Sequence, residues 1–206
     1  MFFKHAKAQE KFDLPEFSTD GDISLEKALK QRKSTRSFTS DPLTLEEAGQ
    51  LLWAAQGINR PDRGYRTAPS AGALYPLEVF LAAGKVEGLE PGLYRYLPKN
   101  HQLARVKTGD PRRDLYNQAL RQSSVLYAPA VVVIAGIYER TTGRYGQRGR
   151  QYVHMEVGHA GQNIHLQAEA LGLGTVVIGA FDDSGVQQVL GLSDNEIPMY
   201  LMPVGK

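Results

Sequence analysis

The chain has no cysteine. Disulfides, thiolate metal sites, iron–sulfur ligation and thiol nucleophiles are excluded, and any redox chemistry must be carried by a bound cofactor. No apolar run approaches the roughly 18 residues of a membrane-spanning helix. The start has no apolar centre either: Met1 to Glu16 mixes Lys4, Lys7 and Lys11 with Glu10, Asp13 and Glu16. Without a signal peptide, the expected compartment is the cytoplasm. Two glycine signatures are also missing. No G-x-G-x-x-G follows a strand pattern, which argues against a Rossmann nucleotide site. No G-x-S-x-G surrounds Ser70, so it is not read as a hydrolase nucleophile. Internal repeats and low-complexity tracts are absent.

The balance of 42% hydrophobic and 22% charged residues is that of an ordinary globular chain. Its net charge of +2 is unevenly spread: residues 99–150 hold ten basic and three acidic side chains, whereas residues 151–206 hold one basic and six acidic. A basic stretch attracts nucleic acid or a phosphate-bearing small molecule. The dense Lys/Arg run with interleaved aromatics that favours nucleic acid is missing, so no nucleic-acid partner is expected. His154, His159 and His165 share one helix pattern at spacings of five and six. Helical metal pairs need three or four, so hydrogen-bonded or surface roles are expected and no metal.

Residues 1–23 read as an irregular arm and residues 24–206 as one domain. Ser24 caps a short helix to Lys33, with Leu25 and Leu29 four apart. Thr44 and Glu47 form a capping box for a helix from Leu45 to about Gln56. Leu77 to Ala83 and Gly92 to Leu97 read as strands, and Asp110 to Gln122 as a helix. Ala130 to Ile137 is a continuous apolar run, the mark of a strand buried on both faces. The Gly/Arg-rich stretch Thr141 to Arg150 reads as a loop. Tyr152 to Leu171 repeats apolar residues at three- and four-residue spacing, a long helix on which Gly158, Ala160 and Gly161 admit a close neighbour. Thr175 to Ile178 reads as a central strand, Asp183 or Ser184 as the cap of a short helix to Leu190, and Met199 to Val204 as a last strand. Elements mix without strict βαβ alternation, which points to an α+β fold with a mixed, mainly antiparallel sheet flanked by helices.

Three segments carry chemistry. In Gln31–Phe38, Arg32, Ser34 and Arg36 are spaced by two. On extended chain they point the same way and make a phosphate receptor, with a basic helix end as the plainer reading. In Ala68–Pro76, small residues expose backbone amides between two prolines, which suits close approach of a flat ligand or simply a tight turn. In Leu171–Asp182, a strand ending at Gly179-Ala180 offers an unencumbered N–H where negative charge develops, or a structural helix–strand junction.

Taken in order, these segments resemble the nitroreductase family of flavoproteins. The matching residues are Arg32, Ser34 and Arg36, then Pro69 to Gly72, then a long helix leading through Leu171-Gly-Leu-Gly to Phe181, and a closing Pro203-Val-Gly205 strand. Ser70-Ala-Gly-Ala-Leu-Tyr-Pro76 looks most like the SagB-type dehydrogenase branch, some of whose members oxidise peptide azolines to azoles. The resemblance implies a nitroreductase-like fold, an entwined homodimer and non-covalent FMN. Arg32, Lys33, Ser34 and Arg36 would hold the phosphate and ribityl chain. Pro69, Ser70, Ala71, Gly72 and Leu74 would pack on the flavin, from the partner subunit, and Val177, Ile178 and Gly179 would line the ring. The chain departs from many relatives at Ala73 and Tyr75, where they carry asparagine and glutamine, and it ends at Lys206, where many continue to a further basic phosphate ligand.

The implied activity is hydride transfer through FMN between a nicotinamide donor, NADH or NADPH, or an organic donor, and a small-molecule or peptide acceptor. The alternative is a flavin-binding, non-catalytic component of a peptide-modification complex. No side-chain acid or base is obligatory; Tyr75, Tyr145 and Tyr152 are unranked candidates.

Overall fold

The computed structural model describes residues 10–206. Along the chain run β1 (Lys11–Asp13), α1 (Leu25–Gln31), α2 (Leu45–Gln56), β2 (Ile58–Arg60), β3 (Tyr65–Arg66), β4 (Leu77–Ala83), β5 (Gly92–Leu97), β6 (Gln102–Thr108), α3 (Arg112–Gln118), α4 (Ser123–Tyr127), β7 (Ala130–Gly136), α5 (Tyr138–Tyr145), α6 (Arg148–Ala170), β8 (Gly174–Thr175), α7 (Asp183–Leu190) and β9 (Ile197–Gly205). The main sheet has seven strands in the order β1-β6-β5-β4-β7-β9-β8, and β2 and β3 form a separate hairpin. Every strand pairing is antiparallel; parallel pairing occurs only at isolated bridges. The expected α+β fold, helices on an antiparallel sheet, is what forms.

The period-two alternation of the central strands explains why the sheet is covered twice. Leu77, Val79 and Leu81 of β4 join Val132 and Ile134 of β7 in a core shared with α2 and α6. Their neighbours Phe80, Ala82, Val131 and Val133 point the other way, into a core closed by Leu115, Val125, Val186 and Leu190. The β7 run is therefore buried on both faces, as its composition requires. Helix α6 lays Val153, Val157, Ala160, Ile164 and Ala168 on the first core. Both expected N-caps are present: Ser24 Oγ accepts from Lys27 N, and Thr44 and Glu47 close a capping box.

Where the structure departs from expectation, tertiary contacts explain it. The stretch 141–150 is no loop but α5 and the start of α6. Gly146, at φ 55°, turns the corner between them, and Gly149 lets the α6 start sit on Thr142, where a Cβ would fall 2.8 Å from the backbone nitrogen. The expected 110–122 helix stops short, at Gln118, and a separate helix, α4, begins only at Ser123. Leu120 and Arg121 adopt φ 51° and 56°, and the Gln118 carbonyl accepts from Asp182 N, so the entry to α7 docks on the end of α3. The 175–178 segment is not a central strand. Only Gly174–Thr175 pairs, at the sheet edge, followed by a single bridge from Ile178 to Leu201. Asp182, one residue earlier than expected, caps α7. Strand β6 was not foreseen. Neither was β1, which lies within the stretch read as an arm and pairs with β6; the rest of that arm, residues 1–9, lies outside the described residues. Of the small residues on α6, Gly158 is exposed and open, but Gly161 is spent internally against Tyr200. Among the described residues, no helix is long and apolar enough to cross a membrane.

The capping box gives a direct check on this reading of α2. Thr44→Ala removes the hydroxyl that accepts from Glu47 N at 3.1 Å. Urea denaturation is expected to show a loss of about 1 kcal/mol; an unchanged midpoint would mean the box contributes nothing.

Candidate active site

The Arg32–Arg36 strip leaves α1 at its C-cap, Arg32, and lies along the short edge strand β8. Thr35 N–H donates to Thr175 O at 2.9 Å, and Ser34 bridges Thr175. The second glycine of Leu171-Gly-Leu-Gly has a steric reason here. A Cβ on Gly174 would fall 2.6 Å from Thr35 Cγ2, so only glycine lets the strip close on the strand. With Thr35 facing β8, its neighbours Ser34 and Arg36 are left exposed. Among the described residues, neither Arg32 nor Arg36 has an ion pair. Lys33 donates its backbone N–H to Glu169 Oε1 at 3.3 Å. Lys206 turns to Glu47 at 3.4 Å, while its carbonyl accepts from Thr39 N.

Four residues beyond Thr175 stands Gly179. Ile178 exchanges both backbone hydrogen bonds with Leu201, and then the pairing stops. Gly179 is exposed, and a Cβ there would meet only Tyr200, at 3.8 Å. Its N–H has no protein acceptor among the described residues. Val177 is half-buried and Ile178 buried. Arg32, Lys33, Ser34 and Arg36 thus share one sheet edge with Val177, Ile178 and Gly179. A strip of cations without ion pairs on the same edge as an unpartnered N–H suits an anionic, flat, electron-accepting ligand.

The Pro69–Leu74 segment sits elsewhere. Ala71 N–H donates to Glu156 Oε1 on α6 at 2.9 Å, and Ser70 Oγ accepts from Tyr75 N at 2.9 Å. Gly72, at φ 62°, passes under Tyr145, whose hydroxyl would lie 2.8 Å from a Cβ there. Ala73 and Tyr75 also adopt positive φ, 54° and 46°. That is strained for non-glycine residues and marks a loop held in shape for a purpose. Glu156 is buried, which pushes its carboxyl above the usual range, with the Ala71 N–H and Ser70 hydroxyl pulling it partly back. On α6, Glu156 and His165, which senses Arg32, are nine residues apart, about 13 Å along the axis. The loop is thus anchored about 13 Å along α6 from the residue beside Arg32, whereas the Gly179 cavity is lined by His154 and Val157, close to the loop's anchor Glu156.

Sequence reasoning missed a pair beside Gly179. A cavity of about 270 Å³ there is lined by Tyr138, His154, Phe181, Asp183 and Tyr200 among others. Tyr138 Oη and His154 Nε2 lie 2.9 Å apart, and the Arg150 guanidinium covers the Tyr138 ring at 3.9 Å. Burial pushes the Tyr138 hydroxyl up, with Arg150 opposing. The two residues lie on separate helices, and no spacing rule in the sequence links them.

The profile of the nitroreductase family matches residues 29–206. The chain belongs to the nitroreductase family. This is a family of oxidoreductases, and the resemblance read from the ordered motifs is borne out. The Methanocaldococcus jannaschii protein MJ1384 is 46% identical over 185 residues, covering 90% of this chain and 92% of that one. The Escherichia coli microcin B17-processing protein McbC is 33% identical over 160 residues, 75% of this chain and 59% of McbC. Among solved structures, a Ralstonia eutropha protein described as a nitroreductase superposes with a TM-score of 0.83 at 29% identity, covering 95% of this chain and 89% of that one. A chain of the E. coli microcin synthetase McbBCD complex, with truncated pro-MccB17 bound, gives 0.73 at 27% identity, covering 97% and 79%. This nitroreductase-family chain thus has relatives in the peptide-modification branch that the Ser70–Pro76 wording suggested.

The buried His165 supplies a pH test of the site's electrostatics. Burial, and secondarily Arg32, hold its imidazole below the ordinary value. The folded state therefore binds fewer protons than the unfolded chain, and this contribution to stability fades as pH falls from the ordinary histidine range. Between pH 7 and 5 the wild type should lose more stability than His165→Gln in matched urea titrations. Parallel losses would show that His165 does not titrate as its surroundings require.

Proposed function

We propose that this protein is an FMN-dependent oxidoreductase, transferring hydride between a nicotinamide or organic donor and a small-molecule or peptide acceptor. The observation that carries the reading is the shared edge at β8. There, two guanidiniums without ion pairs among the described residues are carried on the same sheet edge as the unpartnered Gly179 N–H. The residues fit the cofactor: charged donors for a phosphate tail, then open, glycine-softened backbone for a ring.

Bound FMN would supply the two-electron chemistry that the side chains of this cysteine-free chain cannot. Arg32, Ser34 and Arg36 hold the phosphate and ribityl chain, and Lys33 adds charge. Val177 and Ile178 would support the ring, and the Gly179 N–H would offer a donor where negative charge develops on it. Pro69, Ser70, Ala71, Gly72 and Leu74 come from the partner subunit of a homodimer. Support for this lies in the roughly 13 Å that separates the anchor points of the two groups on α6 and in the exposed apolar residues Leu25, Leu29 and Met155. Residues 24–206 form the flavin-binding unit.

The likeness to McbC favours a second reading for the same site, as the flavin-binding, non-catalytic component of a peptide-modification complex that oxidises azolines. The chain matches 59% of McbC, so that activity is proposed only as this alternative. Anaerobic bleaching by NADH, NADPH or an organic donor favours the first reading, and bound flavin that no donor reduces favours the second.

Purified protein should show flavin bands near roughly 370 and 450 nm, from the cofactor's own chromophore. Replacing both Arg32 and Arg36 by alanine removes two charge-assisted contacts of about 1.5–3 kcal/mol each, so FMN should bind about a hundredfold or more weaker. A colourless wild type that takes up no added FMN, or a double variant that keeps it normally, would overturn the assignment.

A further inference from the structure

A second cavity, of about 660 Å³, has no residue in common with the one at Gly179. It meets the Pro69–Pro76 loop only at Tyr75, and is otherwise lined by Phe17, Trp53, the β2–β3 hairpin and the turn between β5 and β6. Its volume falls in the range of roughly 300–1,000 Å³ typical of small-molecule sites.

The walls are rings. Phe17 stacks on Trp53 with centroids 4.6 Å apart and planes 13° apart, and Tyr96 meets His101 edge-on. The Arg66 guanidinium lies 4.6 Å over the Tyr75 ring. Two cations, Arg66 and Lys99, face the space and no carboxylate lines it.

Among the described residues Arg66 has no ion pair, and its side-chain hydrogen bond goes to a neutral amide, Gln56 Oε1, at 2.8 Å. Glu78, the acid whose field it feels most, is already held by Arg95 at 2.9 Å and Arg140 at 2.6 Å. Burial works against the charge on Arg66. A desolvated cation without a carboxylate is costly unless a ligand supplies the anion.

The Trp53 indole N–H is also buried without an acceptor. His101 has no free ring nitrogen: Nε2–H donates to Pro15 O at 2.9 Å, and Nδ1 pairs with Tyr96 Oη at 2.9 Å. Burial holds its imidazole below the ordinary value, which disfavours charge there.

We infer that this cavity binds a planar aromatic carboxylate, its ring against Phe17, Trp53, Tyr75 and Tyr96 and its carboxylate on Arg66. Aromatic faces select a flat ring, and the unpaired guanidinium selects an anion with two acceptor oxygens in one plane. The site is independent of the flavin assignment.

The probe is 2-naphthoate, titrated into the intact protein by calorimetry, with flavin absorbance followed in parallel. One saturable site per chain is expected. The uncharged 2-naphthamide should bind at least tenfold weaker. Arg66→Gln should weaken naphthoate at least tenfold and naphthamide less than threefold, with the flavin spectrum unchanged. If Arg66→Gln does not fold, Ile58→Trp carries the test: it fills the cavity from a half-buried wall position and removes no charge, and it should abolish binding of both probes. Equal affinity for the two probes, no binding, naphthoate binding that survives these variants, or a naphthoate-induced shift of the flavin bands would overturn the inference.

Discussion

The closure of Thr35 on Gly174 is the contact on which the candidate site rests. One backbone hydrogen bond, Thr35 N to Thr175 O at 2.9 Å, aligns the basic strip with the sheet edge. The missing side chain at Gly174 is what permits that approach. Because β8 is only two residues long and lies at the edge, the chain leaves the sheet soon afterwards, and Gly179 emerges with its N–H free. A longer, central strand would have paired that N–H and removed it from chemistry.

Helix α6 sets the other distance that matters. It packs against the sheet along its whole apolar stripe, so its residues act as fixed marks on one rod. Glu156 holds the Pro69–Leu74 loop at one mark, and His165 lies by Arg32 at another. This spacing sets the loop apart from the strip along the helix axis. Burying a carboxylate at Glu156 is unfavourable unless it is well hydrogen-bonded, and its bond from the Ala71 N–H ties that cost to the shape of the loop.

Some of this was legible in local chemistry. Thr44 and Glu47 are three apart and cap α2 whatever packs around them. Seven consecutive buried residues in β7 require cover on both faces, so a two-sided core could be read from composition. Arg32, Ser34 and Arg36, and the Gly174 and Gly179 backbone, were singled out before any coordinates. Gly146 and Gly149 misled, because a glycine that permits close helix packing has the same letter as one that makes a loop. Tyr138 and His154 went unnoticed as a pair because they meet only when α5 folds back on α6.

Periodicity, caps and ordered motifs were thus enough to name the α+β class, the family and helices and strands such as α2, β4, β7 and most of α6, since each draws on local spacing and backbone preferences. Long-range packing settled the rest: that 174–175 is an edge, that α3 ends at Gln118 where the entry to α7 docks, and that Glu156, which anchors the Pro69–Leu74 loop, lies about 13 Å along α6 from His165. Those outcomes turn on which buried surfaces meet, and burial is a sum over residues distant in the chain that no local pattern contains.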